Sequence, residues 1–436
     1  MSGLEGASGV FDAARARGLY VSLSDGWTYL NAGHRAQVPE KVSSAVSRAF
    51  RAAPLQANGV DGDEGTAVGL TRGDDYVAAA RRAVADLVGS RPECVVLGPN
   101  RAALLSSLAT VMPAKLRMGR EVVLSRSDEP ANIDPWVLAA DLYGATVRWA
   151  EADLTAGTLP TWQYSDLIGW ETSVVAVTAA NAHLGTVTDV RRIADQLHAK
   201  SRGWLVVDAT AVAPYRTIDM AGWGADVVVL DFAPLGGPEV GAMVVRDPAM
   251  LGELKLVEAR TGRHSTPDPD ALAARRLAAL ERGAVSPGLL GAVPATVDHL
   301  ASLDEAATGT RRERLAVSLP GAEDYLLGLA RHLVDGLQGL GGVHVIGADG
   351  EGYGSSFTGS DRVPRVSFLV PGLDAAFVGA RLLDNGVVAQ VVGLEDSALF
   401  DQMGVAEMGG AVCVALAPHN TRFDVDHLVR VIGGIV

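Results

Sequence analysis

The run WLVVDATAVAPYRTIDMAGWGADVVVLDFAPLGGPEVGAMVV, residues 204–245, decides the fold. WLVVD and ADVVVLD are apolar at consecutive positions, which predicts strands buried on both faces in a sheet covered by helices. GAMVV follows after a turn through Gly236, Gly237 and Pro238. That connection is too short for a helical crossover, so the last strand should run antiparallel. The first two strands end in acids, Asp208 and Asp231, at the edge where open α/β sheets bind their ligands. The turn after Asp231 carries Pro234 and Glu239 but no lysine, serine or histidine.

Outward from this run the same alternation continues. CVVLG (94–98) precedes ALLSSLATVM, and EVVLS (121–125) precedes PWVLAADLYG. ATVRWAE (145–151), SVVAVTAA (173–180) and VRRIADQLHAK (190–200) follow. The pattern predicts an α/β fold with a seven-stranded, mainly parallel sheet and a smaller α+β C-terminal domain. The expected organisation is an N-terminal segment, 1–44, packing on the small domain, a large domain over 45–285 and the small domain over 286–436. The Gly-rich GADGEGYGSSFTGS (347–360) reads as a flexible surface loop, and MLGELKLVEAR, which holds Lys255, as a helix.

Composition excludes several functions. A formal charge of −14 disfavours nucleic acid and anionic membrane surfaces. No apolar stretch reaches the roughly 18 residues of a membrane span, and no secretory signal pattern opens the chain, so a cytoplasmic protein is expected. Cys94 and Cys413 sit in apolar runs and read as buried thiols rather than a disulfide or metal site. The nine histidines show no HExxH-type spacing, so no metal is expected. Only four lysines occur, Lys41, Lys115, Lys200 and Lys255, against thirty-three arginines.

The candidate site residues lie at strand ends. GPNRAA offers Asn100 and Arg101, SDEPANIDPW offers Glu129, and AANAHLGT offers Asn181 and His183. With Asp208, Asp231 and Pro234 these should converge on one cleft. Taken alone, GPNRA and LGGP read first as tight structural turns and only second as anion sites. Asp208 either caps the turn after its strand or holds a protonated ring nitrogen of a ligand. Asp208, Asp231 and Glu239 together suggest a hydrolase or isomerase whose crowded carboxylates make an acid/base pair.

The order of these elements resembles the class V aminotransferase and cysteine desulfurase family, the fold type I enzymes of pyridoxal phosphate (PLP). The likeness runs from RGLYVSLSDGWTYLNAGHRAQVPEKV (17–42) through VVLGPNRAALLSSL, ANIDPW, LGTVTDVRRIADQLH and ALERGAVSPGLLGAVPATVDHLASLD to AVCVALAPHNTRFDVDHLV. It is nearest to a lysine-less actinobacterial, desulfurase-like subgroup. The resemblance implies a Schiff-base lysine three residues before a Gly-Pro, and here that position is Pro234, which has no side-chain nitrogen. It implies phosphate donors where this chain has Ala102, Asp231 and Ala284. The ring-stacking histidine falls near Glu129 or Pro130, the substrate-carboxylate arginine at Cys413, and the cofactor asparagine at Ala182, beside Asn181. GLEDSALFDQMG (393–404) lacks a desulfurase nucleophile. The expectation is a catalytically degenerate, PLP-independent binding or assembly protein with no catalytic residue and no cofactor, although the family would bring PLP. A homodimer, or a heterodimer with a paralogue, is expected. The alternative is an active aminotransferase, C–S lyase or desulfurase that holds PLP non-covalently, or another ligand.

Overall fold

The structure is a computed structural model, and it describes residues 11–56, 70–256, 269–281, 285–347, 361–393 and 397–436. A short strand, β1 (Thr28–Tyr29), precedes seven that form one sheet. These are β2 (Val95–Gly98), β3 (Glu121–Ser125), β4 (Thr146–Ala150), β5 (Thr172–Thr178), β6 (Trp204–Asp208), β7 (Val227–Asp231) and β8 (Gly241–Val245). Their order is β2-β8-β7-β6-β5-β3-β4. Only β8 is antiparallel, to both β7 and β2, as the short turn before GAMVV requires.

The central strands are buried on both faces: Val174 to Val177, Leu205 to Val207 and Val227 to Leu230 are closed to solvent. Each such aliphatic side chain contributes roughly 1.5–3 kcal/mol on leaving water. These apolar runs therefore fix the sheet, and helices cover it. Three matter for the site: α1 (Arg101–Thr110), α2 (Pro130–Tyr143) and α3 (Val190–Lys200).

A long helix, α4 (Arg311–Gln338), leads to the second sheet. Its strands are β9 (His344–Val345), β10 (Arg365–Leu369), β12 (Gln390–Val392) and β13 (Ala411–Ala415), with β11 (Val387–Val388) just before β12. The order is β12-β13-β10-β9, antiparallel throughout. β1 pairs in parallel with β11, so the N-terminal segment joins the C-terminal part of the fold. One expectation changes. Among the described residues a short 3-10 helix, Pro248–Glu253, forms where the sequence predicts a helix through Lys255, and it ends before the lysine. Of the loop predicted over 347–360 all but Gly347 lies outside the described residues, as does Ala284. Among the described residues no helix is long and apolar enough to cross a membrane.

Candidate active site

A cleft of about 540 Å³ opens at the carboxyl edge of the large sheet. The ends of β2, β3, β5, β6 and β7 and the start of β8 all feed it. The loop after β2 is drawn tight. Asn100 caps α1, its Oδ1 accepting the Ala103 N–H at 2.8 Å. β8 can approach that cap because its first residue is glycine: a Cβ on Gly241 would lie 2.5 Å from the Asn100 carbonyl carbon.

Arg101 opens α1 with its guanidinium buried, and three carboxylates converge on it. Nη2 pairs with Glu129 Oε2 at 2.5 Å, Nε with Asp208 Oδ2 at 2.9 Å and Nη1 with Asp231 Oδ2 at 3.4 Å. The Arg101 backbone N–H also donates to Asp231 Oδ1 at 2.7 Å. The exposed dipole end of α1 therefore holds the protein's own carboxylate, the kind of group a helix start attracts.

One guanidinium cannot satisfy three acids equally. Burial opposes ionisation of Glu129, but Arg101, with His183 and Arg365, outweighs it and holds that carboxyl below its ordinary value. Burial wins at Asp208, whose pKa rises despite Arg101. Asp231 is pushed up to about 6 by burial, against Arg101 and with help from Asp208 and Glu129. Nearby Asp128, fully enclosed, is pushed up to about 8 by burial even though it accepts the Thr178 N–H and the Asn132 amide.

Asn100, Arg101, Glu129, Asp231 and Pro234 line the cleft together. Asp208 is buried and does not line the cleft, but it is paired with Arg101, which does. Asn181 and His183 do not line it, which corrects the reading that all eight residues face one cleft. Asn181 is consumed by its own turn: Oδ1 accepts the N–H groups of His183 and Leu184, and Nδ2 donates to the Ser127 carbonyl at 2.8 Å. The buried His183 ring packs against Phe400 at 5.3 Å between centroids. Ala182, between them, is the lining residue.

The sequence points to only one strong base for the cleft, and there are three. Arg365, from β10, and Arg35, from the N-terminal segment, line it with His34. Arg365 is almost wholly buried, donates from Nη1 to the Ala182 carbonyl at 2.5 Å, and leaves its Nε without a hydrogen-bond partner. Gly33 admits it: a Cβ there would stand 3.0 Å from its Nη1. RVSFLV reads as an apolar strand, and nothing local signals that its first side chain turns into a cleft formed some 180 residues earlier.

The cleft does not fit covalently bound PLP. No lysine lines it, and Pro234 stands where the resemblance puts the imine nitrogen. The helix-start N–H that would face a phosphate already binds Asp231, and Asp208 is paired to Arg101 rather than open to a ring nitrogen. Among the described residues no group of three or more His, Cys, Asp or Glu is placed to hold a metal.

Comparison with known proteins accords with this architecture. The family model described as aminotransferase class-V matches residues 28–319. An uncharacterized protein of Mycobacterium tuberculosis is 41% identical over 98% of this chain and 99% of its own. A probable cysteine desulfurase of Xylella fastidiosa is 30% identical over 50% of this chain and 51% of its own. Among solved structures, the cysteine desulfurase CsdA of Escherichia coli superposes with a TM-score of 0.77 at 20% identity, over 97% of this chain and 98% of that one. A C-DES lysine-to-alanine mutant with glycine covalently linked to its PLP cofactor gives 0.72 at 17%, over 96% and 98%. These likenesses do not support the expectation that no cofactor binds; they leave PLP open as a ligand.

Proposed function

The chain belongs to the aminotransferase class-V family, with cysteine desulfurase-like relatives, and from that premise we propose that it has given up imine chemistry and kept the cleft. It acts as a PLP-independent protein that binds a small charged molecule at the carboxyl edge of the sheet. The observation that carries this reading is the Asp231 carboxylate bonded to the first N–H of α1. A dianionic phosphate brought there meets a fixed negative charge, and two unit charges about 4 Å apart at an effective dielectric of 20 interact by about 4 kcal/mol. Arg35 and Arg365, which line the cleft together with Glu129, Asp231 and Glu239, suit a ligand that carries both charge signs. A homodimer, as the resemblance implies, is proposed with it, and sedimentation velocity of the purified protein tests that.

A second reading is an enzyme that holds PLP, or a preformed PLP–amino acid adduct, without a covalent link. Arg365 favours it, because its unpartnered Nε offers an anion contact that Asp231 does not block. PLP titration of the purified protein, followed by absorbance between about 320 and 430 nm with and without borohydride, separates the readings. The PLP-independent reading expects no saturable band and no reducible adduct. Tight binding with an unreducible band supports the second reading, and a reducible band sinks both.

A further inference from the structure

We infer that the protein carries a second ligand site, for a nucleoside di- or triphosphate, at the opposite edge of the large sheet. A pocket of about 430 Å³ lies at the amino ends of β3, β5 and β6, within the range usual for small-molecule sites. It is one strand length, roughly 20 Å, from the cleft described above. Lys115, Arg120, His198, Lys200 and Arg202 line it, and no acid does. Two of the chain's four lysines are therefore gathered here, in a protein of net charge −14.

Their partners decide how much positive charge is left. Lys115 Nζ is paired with Glu253 at 2.7 Å, and His198 Nε2 lies 3.0 Å from Asp226. Among the described residues Lys200 Nζ donates only to the carbonyls of Ser165 and Ile168, and no carboxylate there offsets it. The guanidiniums of Arg120 and Arg202 have no partner among the described residues. Three uncompensated cations thus share one pocket. Held so close, they repel one another unless an anion joins them. A phosphomonoester carries about −1.5 to −2 at pH 7, so a di- or triphosphate matches three cations better than a single phosphate does.

The ring half of the ligand is argued from Trp170, which also lines the pocket yet is 72% exposed. An indole left open beside a cluster of phosphate-binding cations is a platform on which a base stacks. Ser173 and Ser201 also line the pocket, but their hydroxyls already donate to the carbonyls of Glu171 and Thr172, so the cations and the indole carry the recognition.

The test is calorimetric titration of the full-length protein with ATP, inorganic triphosphate and adenosine, with tryptophan fluorescence read in parallel. ATP is expected to bind saturably and quench fluorescence. Arg120→Ala with Arg202→Ala should weaken it about 100-fold, roughly tenfold for each charge-assisted hydrogen bond removed. Trp170→Leu should abolish the quench and weaken ATP about tenfold while leaving triphosphate binding unchanged. Neither the Arg120 nor the Arg202 guanidinium is bonded to another described residue, so the variants should fold, and far-UV circular dichroism checks that. The proposal is overturned if ATP shows no saturable binding at millimolar concentration, or if the double arginine variant binds it as the wild type does. Triphosphate binding as tightly as ATP, with both indifferent to Trp170→Leu, overturns the nucleotide assignment.

Discussion

Asp231 sits at the centre of the cleft's electrostatics, and its raised pKa gives a test with a definite sign. Its value rises from the ordinary 3.8 to about 6 in the fold. Between those values the native state holds a proton that the unfolded chain has released. This group's contribution is therefore full below about pH 4 and is lost as pH climbs through about 6. Two pKa units correspond to about 3 kcal/mol. Asp231→Asn keeps an oxygen to accept the Arg101 N–H and removes the charge. It should raise stability at pH 7 by about 1–3 kcal/mol in urea denaturation, with the two curves converging near pH 4. A loss of stability at pH 7 instead would mean that the Arg101 pairing outweighs burial. The same residue governs cofactor rescue. Pro234→Lys alone returns an amine but leaves Asp231 on the helix start, so it should form no aldimine. Adding Asp231→Ser replaces the charge with a phosphate donor and should yield a borohydride-reducible band with PLP. Full rescue by the lysine alone would show that the carboxylate does not obstruct a phosphate.

At the scale of elements, the junction of β8 with the start of α1 is the tightest part of the site. Any side chain on Gly241 meets the Asn100 and Arg101 backbone, which cannot swing aside as a flexible side chain does. Gly241→Ala should cost about 1–3 kcal/mol, the usual range for overpacking, and should displace the Arg101 cluster with it. Equilibrium urea unfolding measures the first, and the pH dependence of that stability reports the second. These elements also mark what the sequence could tell. Strands such as VVVL and WLVV are legible because a run of buried aliphatics has few other uses, and the turn at Gly236 and Gly237 dictates the antiparallel return. Arg101, Glu129, Asp231 and Pro234 were legible because they stand at strand ends of that sheet. Asn181 and His183 stand at such an end too, but a polar loop residue either faces a ligand or satisfies its own turn, and sequence does not distinguish the two. Arg365 and Arg35 were illegible for the opposite reason: they enter the cleft from chain segments whose packing on the large sheet is a tertiary fact.

Across the whole molecule, the two sheets are tied by a few long-range bonds around the cleft. The Arg216 guanidinium, from the loop after β6, reaches Glu323 on α4 at 2.5 Å and grips Asp361 with two bonds of 2.6 Å. Tyr215 donates to the Leu416 carbonyl at 2.9 Å, and Arg365 crosses back to Ala182. A chain of this length commonly unfolds in more than one step, but this bracing should merge the steps. Six of the seven tryptophans, Trp136 to Trp223, lie among the strands and helices of the large sheet, and only Trp27 sits beside β1, so fluorescence reports chiefly the large-sheet side, whereas far-UV circular dichroism reports every helix and strand. The wild type is expected to give coincident urea transitions by both probes. Arg216→Met removes the cation and leaves the half-buried Glu323, whose pKa burial already raises, without its partner. That should cost about 1–3 kcal/mol, below the roughly 3–5 kcal/mol of a fully buried broken pair, and should separate the two transitions. Adding Glu323→Leu removes the stranded charge as well and should recover most of the loss, because the penalty comes chiefly from an unpaired carboxylate rather than from a missing attraction. If the double variant is no more stable than Arg216→Met, the bracing acts through Asp361, and α4 takes no part in joining the sheets.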